Sequence, residues 1–502
     1  MDKTKNPYPA ANPKATPLRK LGTGVDGLDE VLHGGYPDGR TTMVKGGPGA
    51  GKSLFALQFL IQNAIKGVPG IFVTFEESVE AVRINAATLG WDVPALEVKG
   101  LLFIYHAKLD AAAVTAGPFS LKAIMAILDG TSRAMGATVV VIDAIDILMR
   151  RFEDTARARA ELNALHEWLD AQRITALLTV KASDDADMAP RVSFLDYMAD
   201  CVLKLDHRVS DQISTRRLRV LKYRGSAFGS NEYPYVISAN GISLVPIGSA
   251  HLAHRPLGPY LSSGNAELDV ALSGGHRKSA CVLIAGPSGS GKTTVACTFV
   301  LAACARGDKV LFISFEESPE ALESALRSAG IDLEPAVRSN KLRLLCRLPE
   351  SAGSDEHLFQ HLEIIKTFQP EIVVVDAISA CSRMGSGKAA FDYCMGLVNA
   401  CKERGITCFL TNQVRGSDSG EDLSGMGFSS LVDSVIELRF ELSGDTLERS
   451  LLIRKARGCD HSPHVHDLSI TDRGIVLARR GPAGDALPAR PARETKAMKA
   501  AR

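Results

Sequence analysis

At 502 residues, the chain is long enough for two domains of about 220 to 240 residues, each able to bury its own core. Its formal net charge of +1 excludes a global basic field that would attract nucleic acid, and no apolar run reaches the roughly 18 residues of a membrane-spanning helix. The ten cysteines show no C-x-x-C spacing, which favours reduced cysteines in a cytoplasmic protein over a disulfide framework or a zinc site.

Proline-rich stretches mark the candidate domain boundaries. Residues 1–17 contain four prolines and lack the apolar core of a signal peptide, so they are predicted to be a disordered tail. Two prolines within residues 250–259 indicate a linker. The predicted domains are therefore residues 18–249 and 260–480, followed by a flexible, Pro/Ala-rich tail over 481–502.

Strands and helices alternate within each domain. In the first, a strand over 41–45 runs into a glycine-rich loop and a helix over 54–65, and further buried strands are predicted at 70–75, 138–142 and 176–180. The second domain repeats this pattern, with predicted strands at 309–315, 371–375 and 407–411. Continuous apolar strands separated by helices predict an α/β fold, with a largely parallel sheet covered by helices on both faces.

Each domain contains a phosphate-binding loop of the form G-x-x-x-x-G-K-[ST]. In such a loop the glycines let backbone N–H groups turn towards the phosphates, the lysine reaches the β/γ oxygens and the hydroxyl ligates Mg²⁺. The sequence therefore predicts ATP and Mg²⁺ as cofactors. The predicted ATP-binding residues are Gly46, Gly47, Gly49, Gly51, Lys52 and Ser53 in the first loop, and Gly286, Ser288, Gly289, Ser290, Gly291, Lys292, Thr293 and Thr294 in the second.

The two loops belong to a longer internal repeat. Lys52 and Glu76 each have an identical residue 240 positions later, and Asp143 and Lys222 each have one 233 positions later. An offset that holds through so many polar positions indicates duplication of a whole domain rather than a short solenoid unit.

Two aspartates end apolar strands and are candidate metal ligands. Asp143 follows the apolar residues 139–142, and Asp376 is its counterpart in the second repeat. A carboxylate at this point can hold the Mg²⁺ hydration shell opposite the loop hydroxyl of Ser53 or Thr293. The structural alternative is an aspartate that caps the next helix.

A pair of glutamates follows the next strand of each repeat. Glu76 and Glu77 in the first repeat, like Glu316 and Glu317 in the second, are candidate catalytic bases that take a proton from water or a hydroxyl in line with the γ-phosphate. Adjacent glutamates are also favoured at helix starts by the helix dipole. Their repetition at identical spacing favours the catalytic interpretation.

A K-x-R-G segment lies near the end of each repeat. Lys222 and Arg224 are two residues apart on a predicted strand, so their side chains point the same way, and Lys455 and Arg457 repeat the arrangement. Two such cations suit phosphate oxygens, and their distance along the chain from their own loops favours action across a subunit boundary. The alternative is a solvated basic strand face.

These motifs resemble those of the KaiC family, the RecA/DnaB-like ATPases of the circadian clock, over nearly all of residues 18–475. The resemblance implies tandem RecA-like domains in a cytoplasmic homohexamer with ATP between subunits. It further implies an ATPase in the first domain, and in the second an ATPase that also transfers phosphate to itself and back. Glu76 and Glu316 match the family's general bases, Lys222/Arg224 and Lys455/Arg457 its trans-acting cations, and KaiB-like or other signalling proteins are candidate partners.

The resemblance also implies phosphoacceptors near the end of the second domain. The family's adjacent hydroxyl residues before an aspartate match Ser429 and Ser430, which precede Asp433. The cyanobacterial pattern is Ser-Thr, so the second serine is a departure. The first repeat has Asp196 and Tyr197 at the matching positions and lacks the serine pair.

Three functions are compatible with the sequence, and the leading one is a Mg-ATP-dependent ATPase and serine autokinase that acts as a signalling or timing switch. A DNA-handling ATPase is the second, although the near-zero net charge and the lack of a basic, aromatic groove pattern disfavour nucleic acid as a partner. A nucleotide-gated scaffold is the third.

Ser424 is a weaker alternative acceptor to Ser429 and Ser430. A serine-rich turn is the structural alternative to an acceptor site.

Overall fold

The computed structural model describes residues 18–108, 120–152, 154–181, 189–210, 213–245, 254–414, 423, 427 and 431–480. Contacts divide these residues into two compact units. The first unit contains the described residues up to 245 together with 352–361, and the second contains the others.

The first repeat folds into alternating strands and helices. Its strands are β1 (Lys20–Leu21), β2 (Tyr36–Pro37), β3 (Thr41–Gly46), β4 (Gly70–Thr74), β5 (Leu102–His106), β6 (Val139–Asp143), β7 (Thr175–Lys181), β8 (Cys201–Ser210), β9 (Ile213–Tyr223), β10 (Glu232–Ser238) and β11 (Gly241–Leu244). Its helices are α1 (Leu28–Val31), α2 (Lys52–Ile65), α3 (Val79–Ala87), α4 (Val93–Val98), α5 (Lys122–Met135), α6 (Ile145–Met149), α7 (Thr155–Ala171) and α8 (Ala189–Met198).

The second repeat has the same order of strands and a similar set of helices. Its strands are β12 (Tyr260–Leu261), β13 (His276–Arg277), β14 (Cys281–Gly286), β15 (Val310–Ser314), β16 (Leu342–Cys346), β17 (Ile372–Asp376), β18 (Thr407–Gln413), β19 (Ser434–Ser443), β20 (Thr446–Ala456), β21 (His466–Thr471) and β22 (Gly474–Arg479). Its helices are α9 (Ala266–Ala271), α10 (Lys292–Arg306), α11 (Pro319–Arg327), α12 (Glu334–Arg338), α13 (Ser354–Phe368) and α14 (Gly387–Arg404), with 3₁₀ turns at Pro349–Ser351 and Ile378–Met384.

Within the described residues, each repeat forms one nine-stranded sheet of the same topology. The spatial order is β11-β10-β9-β8-β3-β7-β6-β4-β5 in the first and β22-β21-β20-β19-β14-β18-β17-β15-β16 in the second. The pairs from β8 to β5 are parallel and those from β8 to β11 are antiparallel. The loop-bearing strands β3 and β14 are therefore central, where the carboxyl ends of parallel strands offer a ligand site.

Both faces of the first sheet are buried, which explains its continuous apolar strands. The neighbouring residues Met43 and Val44 of β3 are fully buried in two different hydrophobic clusters, because successive side chains point to opposite faces. Helix α2 contributes Phe55 and Phe59 to one cluster, and α7 contributes Leu165 to the other. The predicted α/β fold, with helices on both faces of a mostly parallel sheet, is confirmed.

The cysteines form no disulfide bonds in the described segments. All ten cysteines lie in described segments and are free, seven of them buried and three half-buried. No helix in the described segments is long and apolar enough to cross a lipid bilayer.

Candidate active sites

Both phosphate-binding loops connect a central strand to a long helix. The first loop starts at Gly46, the last residue of β3, and α2 begins at Lys52. The second starts at Gly286, the last residue of β14, and α10 begins at Lys292. The free N–H groups and the positive end of a helix at this point form an anion-binding site suited to phosphate.

The last glycine of each loop is required by its backbone conformation and its surroundings. Gly51 and Gly291 have φ values of 81° and 101°, in the left-handed region. A Cβ at Gly51 would also lie 2.9 Å from the Ile237 side chain, and one at Gly291 would lie 2.7 Å from that of Ile470. Glycine is therefore favoured immediately before α2 and α10 both by the backbone conformation and by the space available.

The loop lysines fold back over their own loops. Lys52 Nζ donates a hydrogen bond to the Gly47 carbonyl at 3.0 Å, and Lys292 Nζ donates to the Pro287 carbonyl at 2.9 Å. Burial lowers the pKa of Lys292, while the Asp376 and Glu316 carboxylates oppose that shift. Each lysine thus lies across the loop that would surround the phosphates.

In the second unit, the strand-end aspartate and the loop hydroxyl are in direct contact. Thr293 Oγ1 donates to Asp376 Oδ2 at 2.9 Å, and Thr411 Oγ1 donates to the other carboxylate oxygen. Burial raises the pKa of Asp376, and the two hydroxyls and the Lys292 ammonium act against that rise. A carboxylate beside a threonine hydroxyl is an oxygen donor set that fits Mg²⁺.

The first unit repeats this arrangement. Asp143 accepts a hydrogen bond from Thr179, and burial raises the pKa of its carboxyl group against the opposing effects of the Thr179 and Ser53 hydroxyls and the Lys52 charge. The sequence analysis missed Thr179 and its counterpart Thr411. Both precede the end of an apolar strand by two residues, a repeated position that could have identified them.

The glutamate pairs occupy matching turns after β4 and β15. Glu77 N–H donates to Thr74 Oγ1 at 3.1 Å, and Glu317 N–H donates to Ser314 Oγ at 3.2 Å. Burial raises the pKa of Glu317, and the nearby Asp376 and Glu316 carboxylates raise it further. The shared turn places both pairs at the same edge of the sheet as the loops.

Two pockets at this edge are lined by some of the predicted site residues. One pocket in the first unit is lined by Lys52, Ser53, Glu77 and Asp143, and extends to residues 82–89 of α3 and the turn after it. A pocket in the second unit is lined by Glu316, Ser379, Ala380, Ser382, Arg383 and Gln413. The loop, one glutamate and the aspartate therefore come together in the first unit.

The K-x-R-G cations do not reach the loops of their own units. Lys222 pairs in register with Val202, which pairs with Met43, three residues before the loop begins. Lys222 Nζ donates to the carbonyls of Asp196 and Ala199 at 2.6 and 2.7 Å. The cation therefore lies towards the amino end of β3, whereas the loop follows its carboxyl end.

Arg224 and Arg457 each follow the last residue of β9 or β20, so the prediction that they share a strand with their lysines is wrong. Arg224 donates to the Tyr197 carbonyl at 2.9 Å. Lys455 Nζ donates to the Val432 carbonyl at 2.7 Å, and the Arg457 N–H donates to the Asp433 carbonyl at 2.7 Å. In both units, then, this segment contacts the chain just before β8 or β19.

The predicted acceptors Ser429 and Ser430, and the alternative Ser424, lie outside the described residues. The chain that follows them is described and firmly held. Asp433 is buried, pairs with Lys402 Nζ at 2.9 Å and accepts the Cys281 N–H at 2.8 Å. Lys402 also donates to the Leu431 carbonyl at 2.7 Å.

Comparison with known proteins identifies relatives for both repeats. A family profile described as "ATPase: KaiC" matches residues 21–249 and again residues 261–481. The chain is 35% identical to "Circadian clock protein KaiC2" of Synechocystis sp. over 471 residues, which cover 93% of this chain and 82% of that protein. It is 34% identical to "Circadian clock oscillator protein KaiC" of Thermosynechococcus vestitus over 466 residues, covering 92% of this chain and 89% of that protein.

Proposed function

Because the chain belongs to the KaiC family of ATPases, we propose that it is a Mg-ATP-dependent ATPase and serine autokinase that acts as a hexameric signalling or timing switch. Domains over 18–249 and 260–480, joined by a linker over 250–259, would each hydrolyse ATP. The observation that carries the proposal is the repeated cluster of loop, hydroxyl, aspartate and glutamate pair. Only the second repeat adds the serine pair.

In this proposal the second site transfers the γ-phosphate to Ser429 and Ser430 of a neighbouring subunit. Lys292 would neutralise phosphate charge, and Thr293 and Asp376 would hold Mg²⁺, which would supply further positive charge at the triphosphate. The serine oxygen attacks the γ-phosphorus, the bond to the β-phosphate oxygen breaks, and ADP leaves. Autophosphatase activity would remove the same phosphate later.

Glu316 would take the proton of the attacking serine, and Glu76 that of an attacking water in the first site. A serine hydroxyl is a weak nucleophile near neutral pH, so a positioned base is worth about 10² to 10⁴ in rate. Glu316 is exposed at the pocket edge, where an incoming hydroxyl can reach it. Glu77 and Glu317, the second members of the pairs, would add negative charge, which favours proton uptake by the neighbouring base.

Hexamer formation follows in this proposal from the position of the K-x-R-G cations. Lys222 and Lys455 lie three strand residues before their own loops, a distance of about 10 Å along β3 or β14. We propose that they, with Arg224 and Arg457, reach the nucleotide of a neighbouring subunit. Sedimentation of a monomer in saturating Mg-ATP would contradict this part of the proposal.

The proposal also includes the cellular setting. The relatives named as circadian clock proteins support a cytoplasmic signalling role with KaiB-like or other signalling proteins as partners.

The deciding experiment is mass spectrometry for phosphoserine after incubation with Mg-ATP. Phosphate is expected on Ser429 or Ser430, and the double variant Ser429→Ala/Ser430→Ala should lose it while retaining the first domain's ATP hydrolysis. Full labelling of the double variant would contradict the assignment and direct attention to Ser424. Absence of any phosphoserine in the parent protein would leave an ATPase without autokinase activity.

A further inference from the structure

We propose that Lys181 supplies a second cation to the terminal phosphate at the first loop, and that the second site lacks this cation because Gln413 takes its place. The inference rests on the proposed ATP hydrolysis by the first domain, and it names a residue that makes the two sites chemically different. It comes from the strand register, the side-chain direction and the backbone anchoring of Lys181.

The register places Lys181 beside the first loop. It is the last residue of β7 and pairs with Gly46, the first loop residue on β3. On its other side, β7 neighbours β6, whose last residue is Asp143. Lys181 therefore lies between the phosphate-binding loop and the proposed metal ligand, at the carboxyl edge of the sheet.

The alternation of side chains along β7 directs Lys181 towards the site. Thr179, two residues earlier, bonds the Asp143 carboxylate, and residues two apart on a strand point to the same face. Lys181 is therefore directed to the same face of β7 as the hydroxyl that contacts the proposed metal ligand Asp143.

A buried carboxylate fixes the backbone at this position. Asp146 of α6 is 4% exposed, and its Oδ1 accepts the Lys181 N–H at 3.0 Å. In the second unit the Gln413 N–H donates to Ser379 Oγ at 3.4 Å. The backbone N–H of Lys181 is therefore bonded to an aspartate in the first site. In the second site, the backbone N–H of the neutral Gln413 is bonded to a serine.

The second unit shows what this position faces. Gln413 and Ser379 line the same pocket as Glu316, the proposed base. Because Lys181 corresponds to Gln413 and Glu76 to Glu316, we infer that Lys181 faces the region of Glu76. The γ-phosphate and the attacking water would meet there. A cation there would stabilise the charge that develops during hydrolysis, and removal of one such donor typically costs about 10²- to 10³-fold in rate. For an exposed lysine we expect a smaller loss, about 10- to 100-fold.

The test uses the full chain with its second site silenced by Glu316→Gln/Glu317→Gln. Adding Lys181→Gln should lower kcat for ATP hydrolysis by about 10- to 100-fold and change KM far less, and Lys181→Arg should restore most of the rate. Lys99→Gln is the matched control, because Lys99 is an exposed lysine that follows α4 and, unlike Lys181, does not lie on a strand that pairs with β3. A kcat within twofold of the parent in Lys181→Gln, or an equal loss in Lys99→Gln, would overturn the inference.

A further variant separates this inference from the proposed function. In the same silenced background, Glu76→Gln/Glu77→Gln should remove the remaining turnover. If turnover persists there, the hydrolytic role of the first site is wrong. If turnover disappears there but survives in Lys181→Gln, only the role of Lys181 is wrong.

Discussion

The two repeats have the same sheet order and the same loop geometry, but they hold the chain before β8 and β19 differently. In the first unit, Asp200 pairs with Arg40 at 3.4 Å, and the arginine side chain is 40% exposed. In the second, Asp433 pairs with Lys402 at 2.9 Å, and their side chains are only 6% and 10% exposed. The two repeats thus share the phosphate site, whereas the aspartate before β19 has a buried ion pair and the one before β8 has a partly exposed partner.

A difference of this kind suggests how one scaffold can serve two tasks. Hydrolysis needs only a positioned water, whereas phosphorylation of the protein itself needs a chain segment held in reach of the γ-phosphate. The Lys402–Asp433 pair holds the chain that follows the proposed acceptors, and the position that corresponds to Lys402 in the first repeat is Asp170. The comparison therefore predicts effects that separate the two units.

The largest expected effect is on phosphoserine formation. Glu316→Gln removes the proposed base and should slow phosphoserine formation by about 10²- to 10⁴-fold with ATP still bound. The matched variant Glu76→Gln should leave the rate of phosphorylation unchanged and slow only hydrolysis in the first site. Quantitative phosphopeptide mass spectrometry over time distinguishes them, and equal slowing by both variants would contradict the division of labour.

The next effect concerns the buried pair. Lys402→Met leaves the Asp433 carboxylate buried without its cation, which should cost about 3 to 5 kcal/mol of stability in the second unit. Arg40→Met removes a pair with an exposed arginine and should cost at most about 1 kcal/mol in the first unit.

Each unit can be observed separately in the full chain. Both tryptophans, Trp91 and Trp168, lie in the first unit, so their fluorescence in urea reports on that unit. Pulse proteolysis with mass spectrometry of peptides from the second unit reports on the other. A loss below about 1 kcal/mol in Lys402→Met would mean that the pair is solvated in solution.

A smaller, pH-dependent difference arises from His276. Its ring is buried against Phe299 and Phe409, and burial lowers its pKa to about 4. Between pH 6.5 and about 4 the unfolded chain binds a proton that the folded chain does not. The free energy of unfolding therefore decreases by up to roughly 3 kcal/mol as the pH is lowered through this range. At neutral pH this cost is absent.

The first repeat supplies the control for this effect. Tyr36 occupies the corresponding position there and packs edge-on against Phe59. His276→Tyr should therefore remove most of the difference between stabilities measured at pH 7 and pH 5 by pulse proteolysis of the second unit. An undiminished pH dependence in that variant would assign it to other groups.

The sequence predicted several central elements and the local motifs because these depend on short stretches of chain. Apolar runs located β4, β6 and β7 to within a residue or two, and the loop pattern located the start of α2. The Lys402–Asp433 pair and the contact of Lys181 with the first loop depend on which strands are neighbours. Hydrophobic periodicity does not determine strand order, so these contacts required the structure.

The contacts of the K-x-R-G segment also depend on strand pairing. Its distance along the chain from the loop favoured a role in trans, but the hydrogen bonds of Lys222 to the carbonyls of Asp196 and Ala199 could not be read from spacing. They depend on the antiparallel pairing of β8 with β9, which brings the segment back to the start of β8.

The smallest effect tests a feature that duplication left unchanged, the cap of the helix after each glutamate pair. Ser78 Oγ accepts the Ala81 N–H and Ser318 Oγ accepts the Ala321 N–H, both at 3.2 Å. Ser78→Ala and Ser318→Ala should each cost about 1 kcal/mol, because each leaves a helix N–H group without its side-chain partner. Pro319 follows Ser318 at the first turn of α11, where its fixed φ favours the helix, so α11 should lose slightly less than α3. Hydrogen exchange of the α3 and α11 amides measures both losses in one protein. Costs that differ by more than about 1 kcal/mol would show that the turns after the two glutamate pairs are no longer equivalent.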